Sequence, residues 1–157
     1  MKLFLSNIIL ALLWALLSGE ISQFSLITGF VLGYLVLGMM ATQASEKSYF
    51  RKVRQTVEFA LVFLRELAVS TWRVAYDILT PTHYMKPGVI AFPLEAKSDA
   101  EITLLANVIT LTPGTLSLDV SEDRKTLYIH AMYIDDPDEL RREIKEGLEK
   151  KLLEMMR

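Results

Sequence analysis

The chain has no cysteine and only two histidines in 157 residues. Those shortages exclude a disulfide framework, a thiolate metal site, a cysteine nucleophile and a multi-histidine zinc site. Positive charge is not in surplus either: the formal net charge is -2, which leaves no electrostatic footprint for nucleic acid. A glycine-rich phosphate loop is also missing, because Gly114 stands alone in Thr112-Pro113-Gly114-Thr115. Neither a cofactor nor a bound metal is expected.

What the chain does have is apolar mass. Hydrophobic residues make up 52% and charged residues 23%, too apolar for one ordinary soluble domain and too charged for a purely lipid-bathed bundle. The charge divides unevenly, with 7 Lys/Arg against 5 Asp/Glu in residues 1–84 and 10 against 14 in residues 85–157. The first half carries the membrane character and the second half reads as water-soluble.

Leu3 to Leu17 and Phe24 to Ala41 are two uncharged apolar runs split by Ser18-Gly19-Glu20-Ile21-Ser22-Gln23. Their lengths lie at and just above the lower limit for crossing a hydrocarbon core of about 30 Å, so residues 1–47 are expected to form a transmembrane helical hairpin. A cleaved signal peptide fits less well, since Ala15 pairs with Leu17 where a small residue is wanted, and a second apolar run follows at once. Lys2 lies before the hairpin and Lys47, Arg51, Lys52 and Arg54 follow it, whereas the intervening loop has no basic residue. By the positive-inside rule both termini are cytoplasmic. Ser25, Gly29 and Gly33 fall four apart, a small-residue seam suited to close approach of another helix and expected to serve assembly.

Residues 48–84 are expected to hold an amphipathic helix over 48–79 and a proline-rich joint. At helical spacing Arg51, Arg54, Glu58, Arg65, Glu66, Arg73 and Asp77 gather in a sector of about 140°, while Phe59, Leu61, Phe63, Leu64, Leu67, Ala68, Trp72, Ala75 and Ile78 fill much of the rest. Arg54 with Glu58, and Arg73 with Asp77, stand four apart and can pair. The helix could lie in the cytoplasmic interface, pack on partner subunits, or form a third span with its charges facing protein; the first two together suit the pattern best. Trp72, Tyr76 and Tyr84 suit headgroup depth. Glu58 and Glu66 read as a solvated or paired stripe before they read as the border of an ion pathway.

Thr80-Pro81-Thr82-His83-Tyr84-Met85-Lys86-Pro87-Gly88 ends the helix, and residues 85–157 are expected to fold as a small cytoplasmic β-α-β-β-α domain. Gly88 to Leu94 reads as a strand. Ser98-Asp99-Ala100-Glu101 is a capping box opening a helix that Pro113-Gly114 closes. Thr115 to Val120 and Thr126 to Tyr133 read as a hairpin around Ser121 to Lys125. Asp136-Pro137-Asp138-Glu139 starts a last helix running to about Met156, with Leu140, Ile144, Leu148 and Leu152 as its apolar stripe. Pairs four apart, Asp138 with Arg142 and Glu146 with Lys150, line its polar side. The helix after Ser98 is apolar on more than one face, with Thr103, Asn107 and Thr110 as its narrow polar line.

Chemistry is sparse. Asp119 and His130 could face each other across the hairpin, but with no nucleophile or metal beside them they read as a structural pair. Neither hairpin helix carries an ionisable residue at bilayer depth, so ion transport by this chain alone is not expected.

Asn107-Val108-Ile109-Thr110-Leu111-Thr112-Pro113-Gly114-Thr115, followed by Leu118-Asp119-Val120 and Leu127-Tyr128-Ile129-His130, resembles the E subunit of the multi-subunit Mrp-type cation/proton antiporters of prokaryotes. The resemblance covers nearly the whole chain, from the hairpin with Trp14 in its first helix to the tail with its Thr-Pro-Gly-Thr turn. It implies an accessory subunit of a large inner-membrane assembly that exchanges Na+ for H+, with other membrane subunits as partners and Na+ and pH homeostasis as the role. Related modules occur in membrane-bound hydrogenase complexes. The alternative kept open is a membrane-anchored sensory or ligand- or protein-binding module.

Overall fold

The structure is a computed structural model that describes residues 2–41, 44–80 and 85–157. The joint residues Pro81, Thr82, His83 and Tyr84, and with them the expectation for Tyr84 at headgroup depth, lie outside the described residues. The chain divides into two compact units, Met1–Arg54 and Gln55–Arg157.

In the first unit, α1 (Lys2–Leu17) and α2 (Gln23–Met40) form an antiparallel hairpin, followed by the start of α3 (Ala44–Leu79). Gly19 makes the turn with φ of 73°, a left-handed conformation that costs glycine nothing. The Ser22 hydroxyl oxygen then accepts the Ser25 N–H at 3.1 Å and caps α2. Both helices leave large apolar side chains exposed, among them Leu5, Ile9, Leu12, Ile27, Val31 and Leu35. Gln23–Met40 is long and apolar enough to cross a membrane, and Leu3–Leu17 is a shorter apolar helix. At the far end of the hairpin Tyr34 meets Phe50, with ring centroids 4.9 Å apart.

The second unit combines helices with a small antiparallel sheet in the order β1 (Gly88–Pro93), β3 (Thr126–Ala131), β2 (Thr115–Val120). Alternation along the strands turns Ile90, Phe92, Leu127 and Ile129 into the core and leaves Val89, Tyr128, Leu116 and Leu118 exposed. Helix α4 (Asp99–Leu111) fills the core with Ile102, Leu105, Val108 and Ile109. It opens on the expected capping box: the Ser98 hydroxyl accepts the Glu101 N–H at 3.2 Å, and Glu101 Oε2 accepts the Ser98 N–H at 3.1 Å. Leu111 is exposed, and Thr110 uses its hydroxyl to accept the Ser117 N–H at 3.1 Å.

The last helix departs from expectation. It runs as α5 (Pro137–Glu143), a π-helical stretch Ile144–Glu149, and α6 (Lys150–Met156). The wide turns bring the buried Glu149 to the loop after β1, where its Oε1 accepts the N–H groups of Glu95 at 2.6 Å and Ala96 at 3.0 Å. The side-chain pairs differ as well: Asp138 pairs with Arg141 and Glu139 with Arg142, three apart.

Helix α3 contributes to this unit's core through Phe59, with Val62 and Phe63 packed beside it. Its expected apolar face is thus divided, because Leu61, Leu64, Trp72 and Ile78 stay exposed, Trp72 at 75%.

Candidate functional site

Two arrangements gather the residues singled out above: the seam of the hairpin, and a cleft in the second unit.

In the seam, Ser25, Gly29 and Gly33 are buried, as are Asn7, Ala11 and Ala15 on α1. A Cβ on Gly29 would lie 2.7 Å from Trp14 Cβ and 2.9 Å from the Ala11 carbonyl oxygen. A Cβ on Gly33 would overlap Asn7 Oδ1. The Ser18 and Ser25 hydroxyls close the turn end at 2.8 Å. Small residues four apart on both helices therefore let the two backbones approach closely. This corrects one expectation: the seam is filled by α1 of the same chain, so it is not a free face for a partner helix. Asn7-x3-Ala11-x3-Ala15 was the available signal, since it matches Ser25-x3-Gly29-x3-Gly33 in antiparallel order. Asn7 itself, fully buried with neither amide atom hydrogen-bonded, has no such signal in the sequence.

The cleft lies between α3, the 112–115 turn and the π-helical stretch, with a volume of about 530 Å³. Gly114 has a φ of 90° and so occupies a conformation that favours glycine. Around it the hydroxyls stitch the turn: Thr112 donates to the Val108 carbonyl at 3.1 Å, and Thr115 donates to Ile109 at 2.6 Å and Thr112 at 2.8 Å. The Gly114 carbonyl accepts the Met132 N–H at 2.8 Å, joining the turn to the chain that leaves β3. Pro113, Gly114 and Thr115 line the cleft opposite Arg65, Glu66 and Arg73 of α3. Asn107 is exposed on α4.

Within the second unit, the charged stripe of α3 pairs partly with another element and partly within the helix. Glu58 lies 3.5 Å from Lys151, and Glu66 lies 3.5 Å from Arg65. Arg73 and Asp77 do not form the expected pair; both turn to Tyr133 instead. The Arg73 guanidinium stands 5.6 Å from the Tyr133 ring centroid. Burial raises the Tyr133 phenol above its ordinary value, and the neighbouring Asp77 carboxylate reinforces the rise while Arg73 opposes it. Asp77 is only 5% exposed, and among the described residues neither its Oδ2 nor the Tyr133 hydroxyl has a hydrogen-bond partner.

Asp119 and His130 are not brought together. The turn that sets Val120 against Leu127 places Asp119 opposite Tyr128, and beyond the bulge between Ser117 and Asp119 His130 stands opposite Leu116. Asp119 instead accepts the Val120 N–H at 2.8 Å. Among the described residues no group of three or more His, Asp or Glu could hold a metal ion.

A structural charge pair sits elsewhere in the unit. Glu101 is bound by the Arg157 guanidinium at 3.0 Å and by the N–H groups of Lys97 and Ser98, which together pull its pKa down from 4.5 to about 2.

The family described as Na+/H+ ion antiporter subunit matches residues 7–155. The chain is 39% identical over 153 residues to the E subunit of the Na(+)/H(+) antiporter of Bacillus subtilis (strain 168), covering 98% of this chain and 97% of the relative. It is 31% identical over 151 residues to the protein of the same name from Alkalihalophilus pseudofirmus, covering 96% of each. Among solved structures, a chain of the Mrp complex from Dietzia sp. DQ12-45-1b is 33% identical with a TM-score of 0.51, over 63% of this chain and 93% of that one. A chain of an archaeal membrane-bound sulfane sulfur reductase shares the fold, at 22% identity and a TM-score of 0.55 over 96% of each chain.

Proposed function

Because the chain belongs to the family of Na+/H+ antiporter E subunits, we propose that it is an accessory, non-catalytic subunit of a multi-subunit monovalent cation/proton antiporter in the cell membrane, serving assembly or stability beside other membrane subunits. One observation carries the reading. From Leu3 to Leu17 and from Gln23 to Met40 there is no Asp, Glu, Lys, Arg or His. A proton or cation relay needs such groups at membrane depth, so the ion path belongs to other subunits.

The hairpin anchors the chain, its exposed apolar side chains turned to lipid or to neighbouring helices. Lys2 and the basic residues from Lys47 to Arg54 hold both termini on the cytoplasmic side. Residues 85–157 form the cytoplasmic domain. Helix α3 lies in the interface: Glu58 and Asp77 meet that domain, while Leu61, Leu64, Trp72 and Leu79 remain open to the acyl boundary or to a partner, with Trp72 and Tyr76 at headgroup depth.

The test is a mild-detergent pull-down of the tagged chain from its native membrane, followed by mass spectrometry. Recovery of large many-span subunits with Na+/H+ exchange retained in Glu58→Gln and Glu66→Gln supports the reading. Loss of exchange in either variant, with the complex intact, would give this chain a direct part in the ion path. The second reading, a membrane-anchored binding module, is favoured by the cleft, whose volume of about 530 Å³ falls in the range of small-molecule sites. Recovery of the chain alone, folded and stable, would bring that reading forward.

A further inference from the structure

We propose that the cleft beside the 112–115 turn is a docking groove for a segment of a neighbouring membrane subunit, one in which a Lys or Arg stands next to bulky apolar residues. The proposal rests on the reading of this chain as part of a larger complex.

The groove has two ends with different chemistry. The cavity of about 530 Å³ adjoins a second of about 420 Å³, the two sharing Arg73, Tyr133, Leu140 and Glu143 as lining residues. At the larger end Val69, Ile109, Pro113, Ile144 and Leu148 make an apolar floor. The smaller end is lined by Asp77, Asp135, Asp136, Glu139 and Glu143, and its one lining cation among the described residues is Arg73, already engaged by the Tyr133 ring.

Not all of those carboxylates are available. Asp135 is held by Lys86 at 2.6 Å, which keeps its carboxyl below the usual range, and Asp136 accepts the Asp138 N–H as the cap of α5. Among the described residues Glu139 has a distant guanidinium, Arg142 at 3.9 Å. Asp77 carries the argument. It is more than nine-tenths buried and lines the acidic end beside the Tyr133 hydroxyl, and among the described residues neither its Oδ2 nor that hydroxyl makes a hydrogen bond. A buried carboxylate oxygen with no partner is costly, and an incoming ammonium or guanidinium offsets that cost.

Other occupants fit less well. An inorganic cation would make no use of the apolar end, and no metal-ligating cluster is present among the described residues. A phospholipid headgroup would bring phosphate against carboxylates. A basic side chain followed by apolar ones matches both ends at once. Gly147 stands in the groove wall, where an added Cβ would meet nothing within 4 Å, so the groove can be filled there without displacing the fold.

The experiment places a photo-crosslinker in the intact complex. Glu146→p-benzoylphenylalanine, at an exposed lining position, is introduced into the tagged chain, irradiated in native membranes, and the adducts are mapped by mass spectrometry. The expected adduct is a peptide of another subunit containing Lys or Arg beside a large apolar residue. Adding Asp77→Asn or Gly147→Trp lowers its yield by about tenfold or more, the exposed Glu143→Gln lowers it in the same direction, and Gly147→Ala leaves it unchanged. Adducts confined to this chain, to lipid or to a second copy, or a yield indifferent to both Asp77→Asn and Glu143→Gln, would overturn the groove while leaving membership of the complex intact. A tagged chain recovered without other subunits removes that membership, and the groove with it.

Discussion

Asn7 and Gly33 meet at a single point in the hairpin: the side-chain oxygen of Asn7 occupies the space that a Cβ on Gly33 would need. The pair makes a test of the seam. Gly33→Ala should destabilise the chain by about 1–3 kcal/mol through overpacking, and Asn7→Ala in the same chain should recover much of that loss. Thermal stability in detergent reads the cycle, and simple additivity of the two costs would show that Asn7 is not the obstacle.

Gly29 should behave differently. Its neighbour is the backbone oxygen of Ala11, 2.9 Å from an added Cβ, which no side-chain rearrangement can move aside. Gly29→Leu should therefore lose the hairpin and the assembled complex on blue-native gels. Normal assembly of this variant would remove the seam from the account.

Glu101 predicts a pH dependence. Its carboxyl is held near a pKa of about 2 in the fold against 4.5 outside it, so its contribution is complete above about 4.5 and lost as pH falls through about 2. Glu101→Gln should lower stability at neutral pH by about 1–2 kcal/mol, through loss of the cap and of the Arg157 contact. The gap from the parent protein should narrow over that acidic window. Hydrogen exchange at the Lys97 and Ser98 amides reports the same event locally, and a gap that widens with acid would contradict the assignment.

The Tyr133 phenol offers a spectroscopic check. Ultraviolet titration, assigned by subtracting Tyr133→Phe, should find it ionising above an ordinary tyrosine. Asp77→Asn should bring it down and Arg73→Gln should take it up, because the first removes a negative neighbour and the second a positive one. No response to either variant would separate Tyr133 from both.

His130 and Asp119 should be silent. They stand opposite Leu116 and Tyr128, not each other, and His130→Gln or Asp119→Asn should leave Na+/H+ exchange by the complex unchanged. Loss of exchange in either would require a role that the strand register does not explain.

The parts of the fold legible in sequence were those with local causes. The capping box at Ser98 and Glu101, the Asp136-Pro137 start and the glycine turn at Gly114 each act within a few residues, and each is where the spacing put it. What escaped depends on partners distant along the chain. The small residues of α2 are visible, but which helix fills them is answered only when Asn7, Ala11 and Ala15 are read beside them. Asp119 and His130 fail to face because the register is set where the turn closes Val120 on Leu127, which puts Asp119 opposite Tyr128; the bulge in β2 only moves His130 one residue further away. Asp77 reads as half of an ion pair with Arg73, because nothing local announces that Tyr133 will stand beside it.

The stripe Leu140, Ile144, Leu148 and Leu152 advances by four every time, never by three. On an α-helix that pattern drifts by about 40° per step, and the widened coil at Ile144–Glu149 is what keeps it facing inward. The same widening acts as a rotary offset for everything beyond it. Deleting one residue there would swing α6 by about 100° and carry the Glu149 carboxylate away from the Glu95 and Ala96 amides. An irregular coil in one helix is thus the condition under which two amides on the far side of the core find their acceptor, and shortening it would undo a loop more than fifty positions upstream.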